Sequence, residues 1–451
     1  MKIVLVGAGS VQFGYGMLGD IFNSSVLKGC EITLLDINED ALQTVLEGAL
    51  HFTKEHSLNN KITATTNRKE ALKNADYIIS SIEVGNRFEL WDQDWKVPLQ
   101  YGINQVYGEN GGPGGVFHSL RIIPVVLDIM KDVMEVCPDA YVFNFSNPMT
   151  AICTAVHRVY PKAKFIGMCH EIGWLYKWLP PMLDKDIDEL HFRAAGLNHF
   201  SCMIELHDKK TGKDLYPDVL KKADAFFEKE PGYSDVYDEY LSSGTLQSEE
   251  QFSKTRSEKE SNYRWADRHI ARLMLKNYNL LPITVDSHFG EYLGWAWDIV
   301  DHRGILDFYD YYKTTLSQKT FYKIKEKTSE RVIPIIEGIE TNSGYEEAAV
   351  NIPNNGLIED LPPWIVLEVP AIIDKNGVNG IKINDIPKGY LALLRSYVGV
   401  YDLTAEAIIH KKKKYVIQAL LANPVVHQAS KLEELVDRMI DTQKQWLGYL
   451  K

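Results

Sequence analysis

The first 21 residues constrain the fold more than any other stretch of this chain. Residues 2–6 are a continuous apolar run that ends in a glycine turn at residues 7–10, and apolar side chains then recur at helical spacing. This order predicts a buried strand, a tight turn and a helix, the unit that opens a doubly wound parallel sheet. The third glycine of the usual dinucleotide fingerprint is missing, because Gln12 and Phe13 occupy that region.

A carboxylate after the second predicted strand supports a nucleotide site at this turn. The strand at residues 31–35 is followed by Asp36, at the distance expected for an acid that hydrogen-bonds a ribose diol. Because a carboxylate repels a ribose phosphate, Asp36 favours NAD over NADP. The alternative role for Asp36 is an N-cap for the helix that starts near Glu39. The predicted cofactor-binding residues are Gly7, Gly9, Ser10 and Asp36.

The first part of the chain alternates strands and helices, and the rest does not. Further buried strands are predicted at residues 77–82, 140–145 and 165–168. After residue 185 the alternation loosens, and from residue 389 the pattern is almost entirely helical. The 451 residues exceed the size at which a single core keeps growing. We therefore predict an α/β fold: a Rossmann-type doubly wound parallel sheet in residues 1–185, and a mixed α+β, largely helical second domain in residues 186–451.

Composition limits the partners and the compartment. The net charge of -12 at pH 7 argues against nucleic acid or an anionic membrane as the main partner. The five cysteines are scattered without a paired framework, which is typical of a reducing compartment. We find no cleavable apolar segment at the start and predict that no stretch elsewhere is long enough to span a bilayer. We expect a cytoplasmic protein that acts on a small molecule.

Polar side chains follow two of the predicted strands at the point where each ends. Cys169, His170 and Glu171 come after one strand, and Asn147 follows another, either as a ligand contact or as a helix cap. Ligands of parallel sheets collect beyond the carboxyl ends of the strands, so these residues are candidates for chemistry. The simpler interpretation of the triplet is a buried thiol with two satisfied polar neighbours. The glycine cluster at residues 108–115 is either an active-site loop or a mobile surface loop.

Taken in chain order, these motifs resemble glycoside hydrolase family 4, a family of NAD-dependent glycosidases. The matching stretches are residues 7–10, 112–115 with 120–121, 144–148, 169–171, 196–199 and 351–356. The resemblance runs from residue 3 to about residue 371 and includes the helical tail. It implies NAD as cofactor, a homodimer or homotetramer, and a substrate, metal and oligomerisation role for residues 186–451.

The resemblance also implies a mechanism. Hydride leaves C3 of the sugar, the resulting ketone makes the C2 proton acidic, a base removes that proton, and the leaving group departs from C1. Water then adds and the hydride returns, so the cofactor is not consumed. A divalent metal on Cys169 and His199 stabilises the enolate as a Lewis acid. Manganese is the metal implied, with cobalt, nickel or iron as alternatives.

Single residues take roles from the same resemblance. Tyr292 matches the base in one branch of the family and Asp286 the base in another, so both remain candidates. His170 matches the proton donor to the leaving group in some members. The predicted substrate-binding residues are Asn147, Glu171, Arg87 and His118.

The identity of the sugar is predicted from two short stretches. Residues 169–172 are similar to the variant found in α-galacturonidases, and residues 288–292 resemble that branch and the α-galactosidase branch. His118 follows the glycine run, where a cation meets a uronate carboxylate. We therefore favour an α-uronide such as an α-galacturonide, with an α-galactoside or an α-glucoside as alternatives. A plain NAD-dependent hydroxyacid or polyol dehydrogenase shares the nucleotide domain but accumulates NADH.

Overall fold

The structure, a computed structural model, describes residues 1–247, 251–252, 262–317, 324 and 330–451. Twelve strands in these residues form one sheet. The strands are β1 Lys2–Val6, β2 Glu31–Leu35, β3 Lys61–Thr65, β4 Tyr77–Ser80, β5 Tyr141–Asn144, β6 Lys164–Gly167, β7 Leu190–Leu197, β8 Phe200–Asp208, β9 Leu281–Pro282, β10 Tyr345–Pro353, β11 Val366–Asp374 and β12 Gly377–Gly380. The helices are α1 Val11–Asn23, α2 Glu39–Glu55, α3 Arg68–Leu72, α4 Arg87–Gln100, α5 Gly112–Val136, α6 Met149–Val159, α7 Gly173–Leu183, α8 Tyr216–Phe227, α9 Tyr233–Ser243, α10 His269–Tyr278, α11 Asp286–Phe289, α12 His302–Ser317, α13 Val332–Thr341, α14 Lys388–His410, α15 Lys413–Ala422, α16 Leu432–Thr442 and α17 Lys444–Leu447.

The first six strands form the parallel part of the sheet, in the order β3-β2-β1-β4-β5-β6. This is the strand order of a dinucleotide-binding fold, and it confirms the predicted doubly wound sheet. Ile3, Val4 and Leu5 of the central strand β1 are fully buried, as expected of an apolar strand that is covered on both faces. The order reverses between β1 and β4, so a ligand crevice lies beyond the carboxyl ends of these two strands.

The sheet continues past its parallel part. β10 pairs antiparallel with β6 through Asn351 and Gly167, and β11 pairs antiparallel with β7 through Glu368 and Gly196. The remaining strands follow in the order β10-β11-β7-β8-β9, with β12 on β11. Residues after 185 therefore extend the sheet begun by the first part of the chain, and the main hydrophobic cluster contains residues from both parts. The domain division at residue 185 stays a prediction.

Helix α5 corrects one expectation from the sequence. It is 25 residues long and apolar enough to cross a membrane by length and composition. Its apolar character comes from burial, because 78% of its most apolar window lies inside the protein. Phe117, Leu120 and Ile123 are fully buried, and the long C-terminal helix α14 packs against it. These contacts are those of a core helix.

Candidate active site

The glycine turn is shaped for close approach of the backbone. Gly7 has a φ of +85°, and a Cβ at this position would lie 2.1 Å from the carbonyl oxygen of Ser81. The Gly9 N–H donates to Oδ2 of Asp36 at 2.8 Å, and a Cβ on Gly9 would meet the same carboxylate. Ser10 occupies the N-cap position of α1 and is exposed. The four predicted cofactor residues therefore lie together at the carboxyl ends of β1 and β2.

A glycine that the fingerprint did not predict packs α1 against this turn. A Cβ on Gly14 would lie 2.5 Å from the carbonyl oxygen of Ala8. This is the packing role of the third fingerprint glycine, which is therefore displaced along the helix and not missing.

The helix-cap alternative for Asp36 is wrong, because Asn38 occupies the N-cap of α2 and accepts a backbone N–H of its first turn.

The structure brings Cys169 to the turn that carries His199. Cys169 lies just beyond β6, with the Asn198 side chain and the Glu171 backbone N–H beside its sulfur, where both act to lower the pKa of the thiol. His199 is the next residue after Asn198, in the turn between β7 and β8, with a φ of +59°. Its side chain is buried, and its Nδ1 has no hydrogen-bond partner among the described residues. The two predicted metal ligands are thus both next to Asn198, His199 in the chain and Cys169 in space.

The surroundings of this pair favour the uncharged form of each side chain. Burial, together with two nearby carboxylates, raises the pKa of the Cys169 thiol well above its ordinary value of 9.0. Burial, together with His288 and His170, lowers the pKa of His199 well below 6.5. Neutral imidazole is the form that binds a metal, and a cation beside a thiol favours the thiolate. The pair fits a divalent ion with positions open to substrate oxygens.

Cys169 and His199 are the two candidate protein ligands for such a site. Within the described ranges, no three His, Cys, Asp or Glu side chains form a cluster that could hold a metal. A closed structural site would need four ligands, whereas a catalytic site keeps positions open. A metal held by Cys169 and His199 would keep such positions open.

The two residues after Cys169 differ in exposure. The His170 side chain is 79% exposed, and its Nε2 lies 3.7 Å from Oε1 of Glu171. Glu171 is buried and accepts a short hydrogen bond from the Thr284 hydroxyl. An exposed imidazole can exchange its proton with a ligand, whereas Glu171 is held by its partner.

The two candidate bases lie in different surroundings. Asp286 accepts the backbone N–H groups of Ile270 and Ala271, at 2.7 and 3.3 Å, in the first turn of α10. Burial raises the pKa of Asp286 to about 7. The Tyr292 hydroxyl donates to the carbonyl oxygen of Asn198 at 3.1 Å, and burial raises the pKa of Tyr292 well above 10.0. Tyr292 therefore adjoins the turn between β7 and β8, whereas Asp286 caps a helix.

Arg87 and His118, both predicted to bind the sugar, lie beside carboxylates. Nη2 of Arg87 donates to Oε1 of Glu109 at 2.5 Å, and Nε2 of His118 lies 3.4 Å from Oε1 of Glu83. Burial works to raise the pKa of Glu83, but His118 and Arg87 outweigh it and lower the pKa to about 2. Arg87 also donates to the Tyr312 hydroxyl at 2.9 Å. Each of these two side chains therefore has a carboxylate beside it.

His288 is a residue of this region that the sequence analysis did not select. Its ring centroid lies 4.5 Å from that of His199, and its Nδ1 lies 3.9 Å from Oε2 of Glu109. His288 therefore lies between His199, a predicted metal ligand, and Glu109, the carboxylate that pairs with Arg87. Its signal in the sequence was the run of ionisable side chains around the two candidate bases.

The glycine run is packed helix, which corrects the prediction of a loop over residues 112–115. Helix α5 begins at Gly112. A Cβ on Gly114 would lie 2.3 Å from the carbonyl oxygen of Gly108, so the absence of side chains here permits close packing. The Glu291 carboxylate accepts the Asn110 N–H at 3.0 and 3.2 Å and holds the preceding turn in place.

Asn147 lies beyond β5, as the sequence predicts. Its Oδ1 is buried and finds no hydrogen-bond partner in the part of the chain that the structure describes. Pro148 takes the N-cap position of α6, so Asn147 is not the cap of that helix. A buried acceptor without a partner is suited to a donor from a ligand.

Comparison with known proteins gives one family for both parts of the chain. A model described as family 4 glycosyl hydrolase matches residues 2–183, and one described as family 4 glycosyl hydrolase C-terminal domain matches residues 194–426. The chain is 54% identical to an alpha-glucosidase of Erwinia rhapontici, with 100% of this chain and 99% of that protein covered. It is 30% identical to an alpha-galactosidase of Bacillus subtilis (strain 168), with 100% of each covered. The crystal structure of a 6-phospho-alpha-glucosidase from gut microorganisms in complex with NAD and Mn²⁺ has the same fold, with a TM-score of 0.80 at 20% identity over 100% of this chain and 99% of that one.

Proposed function

The chain belongs to glycoside hydrolase family 4, and we propose that it hydrolyses neutral α-glucosides with NAD and a divalent metal. The observation that carries the proposal is the contact between Cys169 and the turn that holds His199. This contact lies at the carboxyl end of the parallel strands, as the glycine turn does. Ligands of such sheets collect at this end.

The proposed NAD site is the glycine turn with the acid that follows β2. When bound, NAD supplies a hydride acceptor for the sugar. Gly7 and Gly9 leave the backbone open to a pyrophosphate, and the N-terminus of α1 at Ser10 stabilises its charge. Asp36 binds the ribose diol through its carboxylate and rejects a ribose phosphate.

The proposed metal site consists of Cys169 and His199. Manganese is the ion that we favour, with cobalt, nickel or iron as alternatives. When bound, the ion supplies Lewis-acid polarisation of the sugar oxygens. The Asn198 side chain lies beside the sulfur, and the unpartnered Nδ1 of buried His199 is typical of a nitrogen kept for a ligand.

Tyr292 is our choice for the base that removes the C2 proton. Its hydroxyl adjoins the turn that carries His199, and a nearby cation would lower its pKa toward the working range. Asp286 stays the second candidate, although backbone N–H groups already occupy its carboxylate. The exposed imidazole of His170 protonates the leaving-group oxygen. The proposed sugar-binding residues are Asn147, Glu171, Arg87 and His118.

The charges of the site support a neutral sugar. Arg87 and His118, two side chains proposed to meet the sugar, already lie beside Glu109 and Glu83. A uronate or a phosphate that binds Arg87 would have to displace Glu109 and leave this buried carboxylate without its partner, which is costly. The 54% identity to an alpha-glucosidase supports glucose as the sugar. The α-galacturonide expectation stays a prediction that the same assay tests.

A three-substrate assay tests the proposal. The protein is incubated with NAD, Mn²⁺, a reductant and the nitrophenyl α-glucoside, α-galactoside or α-galacturonide in deuterated water. We expect nitrophenol release fastest from the α-glucoside, dependent on both NAD and Mn²⁺, with deuterium at C2 of the sugar. Undiminished release after removal of both would overturn the mechanism. Faster cleavage of the galacturonide would replace the substrate and leave the mechanism in place.

The same assay separates a dehydrogenase from a glycosidase. A hydroxyacid or polyol dehydrogenase would produce stoichiometric NADH and leave the glycosidic bond intact, whereas the proposed cycle returns the hydride. We expect no net rise in NADH absorbance during nitrophenol release. Cytoplasmic location and a homodimer or homotetramer stay predictions, and light scattering on the purified protein checks the second.

A further inference from the structure

Glu368 is a buried carboxylate that receives side chains from three segments. It lies on β11 and is 1% exposed. Ser201 donates to its Oε2 at 2.6 Å, Asn198 donates to its Oε1 at 3.0 Å, and Asn351 makes a longer contact with Oε1 at 3.4 Å. A carboxylate is acceptor-only, so it can satisfy all three donors at once.

The three donors lie next to the two proposed metal ligands. Asn198 and Ser201 bracket His199 in the turn between β7 and β8. Asn351 also contacts the carbonyl oxygen of Gly167, at 3.4 Å, where β10 pairs with β6 just ahead of Cys169. The two strand pairings meet at the same place, because Glu368 is itself the β11 residue that pairs with β7.

We propose that Glu368 is a positioning residue that sets the separation of Cys169 and His199. The proposal rests on the metal site of the proposed function. Glu368 holds the His199 turn directly and the Cys169 strand through Asn351, so that one side chain fixes both ligands. The Asn198 amide, which donates to Glu368, also lies beside Cys169. Outer hydrogen bonds of this kind orient metal ligands, and their loss typically weakens binding about 10–100-fold.

A matched pair of variants distinguishes positioning from general stability. Glu368→Gln keeps the shape but places an amide N–H₂ among three donors, which turns the imidazole or the sulfur away from the ion. The control is Glu347→Gln on the neighbouring strand β10. Glu347 is also fully buried, but its partners are Arg331, at 2.7 Å, and Tyr345.

The measurement is a titration with Mn²⁺ alone, followed by electron paramagnetic resonance of the unbound ion, with thermal unfolding of each variant. We expect Glu368→Gln to weaken Mn²⁺ binding about 10–100-fold and Glu347→Gln to leave it within about twofold of the wild type. Excess Mn²⁺ should restore turnover to Glu368→Gln. Wild-type Mn²⁺ affinity in a folded Glu368→Gln protein overturns the proposal. Equal weakening in both variants also overturns it.

A milder variant and a further control keep the test decisive. If Glu368→Gln does not fold, Ser201→Ala removes one of the three donors, and we expect it to weaken Mn²⁺ binding several-fold; unchanged affinity overturns the proposal. Cys169→Ser distinguishes failure of the proposed metal site from failure of the positioning role of Glu368. If Cys169→Ser binds Mn²⁺ as the wild type does, the metal site itself is misplaced. If it loses Mn²⁺ while Glu368→Gln does not, only the positioning role fails.

Discussion

Cys169 is the side chain on which the proposed chemistry depends most directly. We expect Cys169→Ser to lower Mn²⁺ affinity by at least about 100-fold, more than the loss of an outer hydrogen bond does. The reason is that a cation converts a thiol to a thiolate, whereas a serine hydroxyl stays protonated at neutral pH. Metal titration checks this, with Cys137→Ser, a buried thiol at the end of α5, as the control. Similar affinities in the two variants would contradict the assignment.

Tyr292 and Asp286 are distinguished by what each loses on substitution. Tyr292→Phe keeps the ring stacked on Phe200, with centroids 4.9 Å apart, and removes only the hydroxyl. We expect its kcat to fall about 10²–10⁴-fold, the usual contribution of a general base, with NAD and Mn²⁺ still bound. Asp286→Asn should mainly lower thermal stability, because its carboxylate caps α10. If Asp286→Asn lowers deuterium incorporation at C2 more than Tyr292→Phe does, Asp286 is the base.

The sequence predicts residues of this site where their position along a strand is informative. Cys169 and Asn147 follow buried strands, and the structure places both at strand ends. His288 and Glu109 could not be selected in this way. Their relation depends on a 3.9 Å contact between segments far apart in the chain, which no local pattern encodes.

At the scale of the element, helix α1 can be tested against its own internal control. A Cβ on Gly14 would lie 2.5 Å from a backbone oxygen, whereas a Cβ on Gly16 would meet nothing within 4 Å. We expect Gly14→Ala to displace the helix, lower the melting temperature and weaken NAD binding at least about tenfold. Gly16→Ala should be neutral or stabilise by about 0.5–1 kcal/mol, since alanine favours helix. Calorimetric NAD titration and thermal unfolding measure both. Equal NAD affinity in the two variants would remove α1 from the proposed cofactor site.

The segment ahead of α10 contains a buried acid with a clear pH signature. Burial raises the pKa of Asp267 from 3.8 to about 7, Arg268 opposes the shift, and Asp301, Asp235 and Asp307 add to it. Between these two pKa values the folded protein holds a proton that the unfolded chain has lost. The free energy of unfolding therefore falls as pH rises from about 4 to about 7 and then levels off. We expect Asp267→Asn to match the wild type near pH 4 and to melt several degrees higher at pH 8. A constant difference in melting temperature across this range would contradict the assignment.

Strands and helices could be predicted from the sequence where they depend on local pattern, and not where they depend on contacts between distant segments. Five of the six parallel strands were predictable because each is a largely apolar run bounded by turn signals, whereas β3, with the sequence KITAT, is not such a run and was not predicted. The antiparallel extension was not, because β6 and β10 meet through Gly167 and Asn351, far apart in the chain. The glycine run at residues 112–115 misled for another reason: composition cannot distinguish a mobile loop from backbone packed too closely for side chains.

At the scale of the whole molecule, the continuity of the sheet makes a thermodynamic prediction. One sheet and one main hydrophobic cluster include residues before and after position 185. Breaking either part of the chain would expose the apolar surface of the other, so the two parts should unfold together. We expect a single calorimetric transition for the full chain.

Cofactor binding turns this expectation into a sharper test. NAD at 100 times its dissociation constant stabilises the folded state by about 2.7 kcal/mol if it binds only that state. Because the proposed NAD site lies before residue 185, a cooperative chain should shift its entire transition upward with NAD, including the part that contains the C-terminal helices. Calorimetry with and without NAD measures the shift, and NADP, which the Asp36 carboxylate disfavours, serves as the control ligand. Two transitions of which NAD moves only one would show that the parts unfold separately, and they would support the predicted division into residues 1–185 and 186–451.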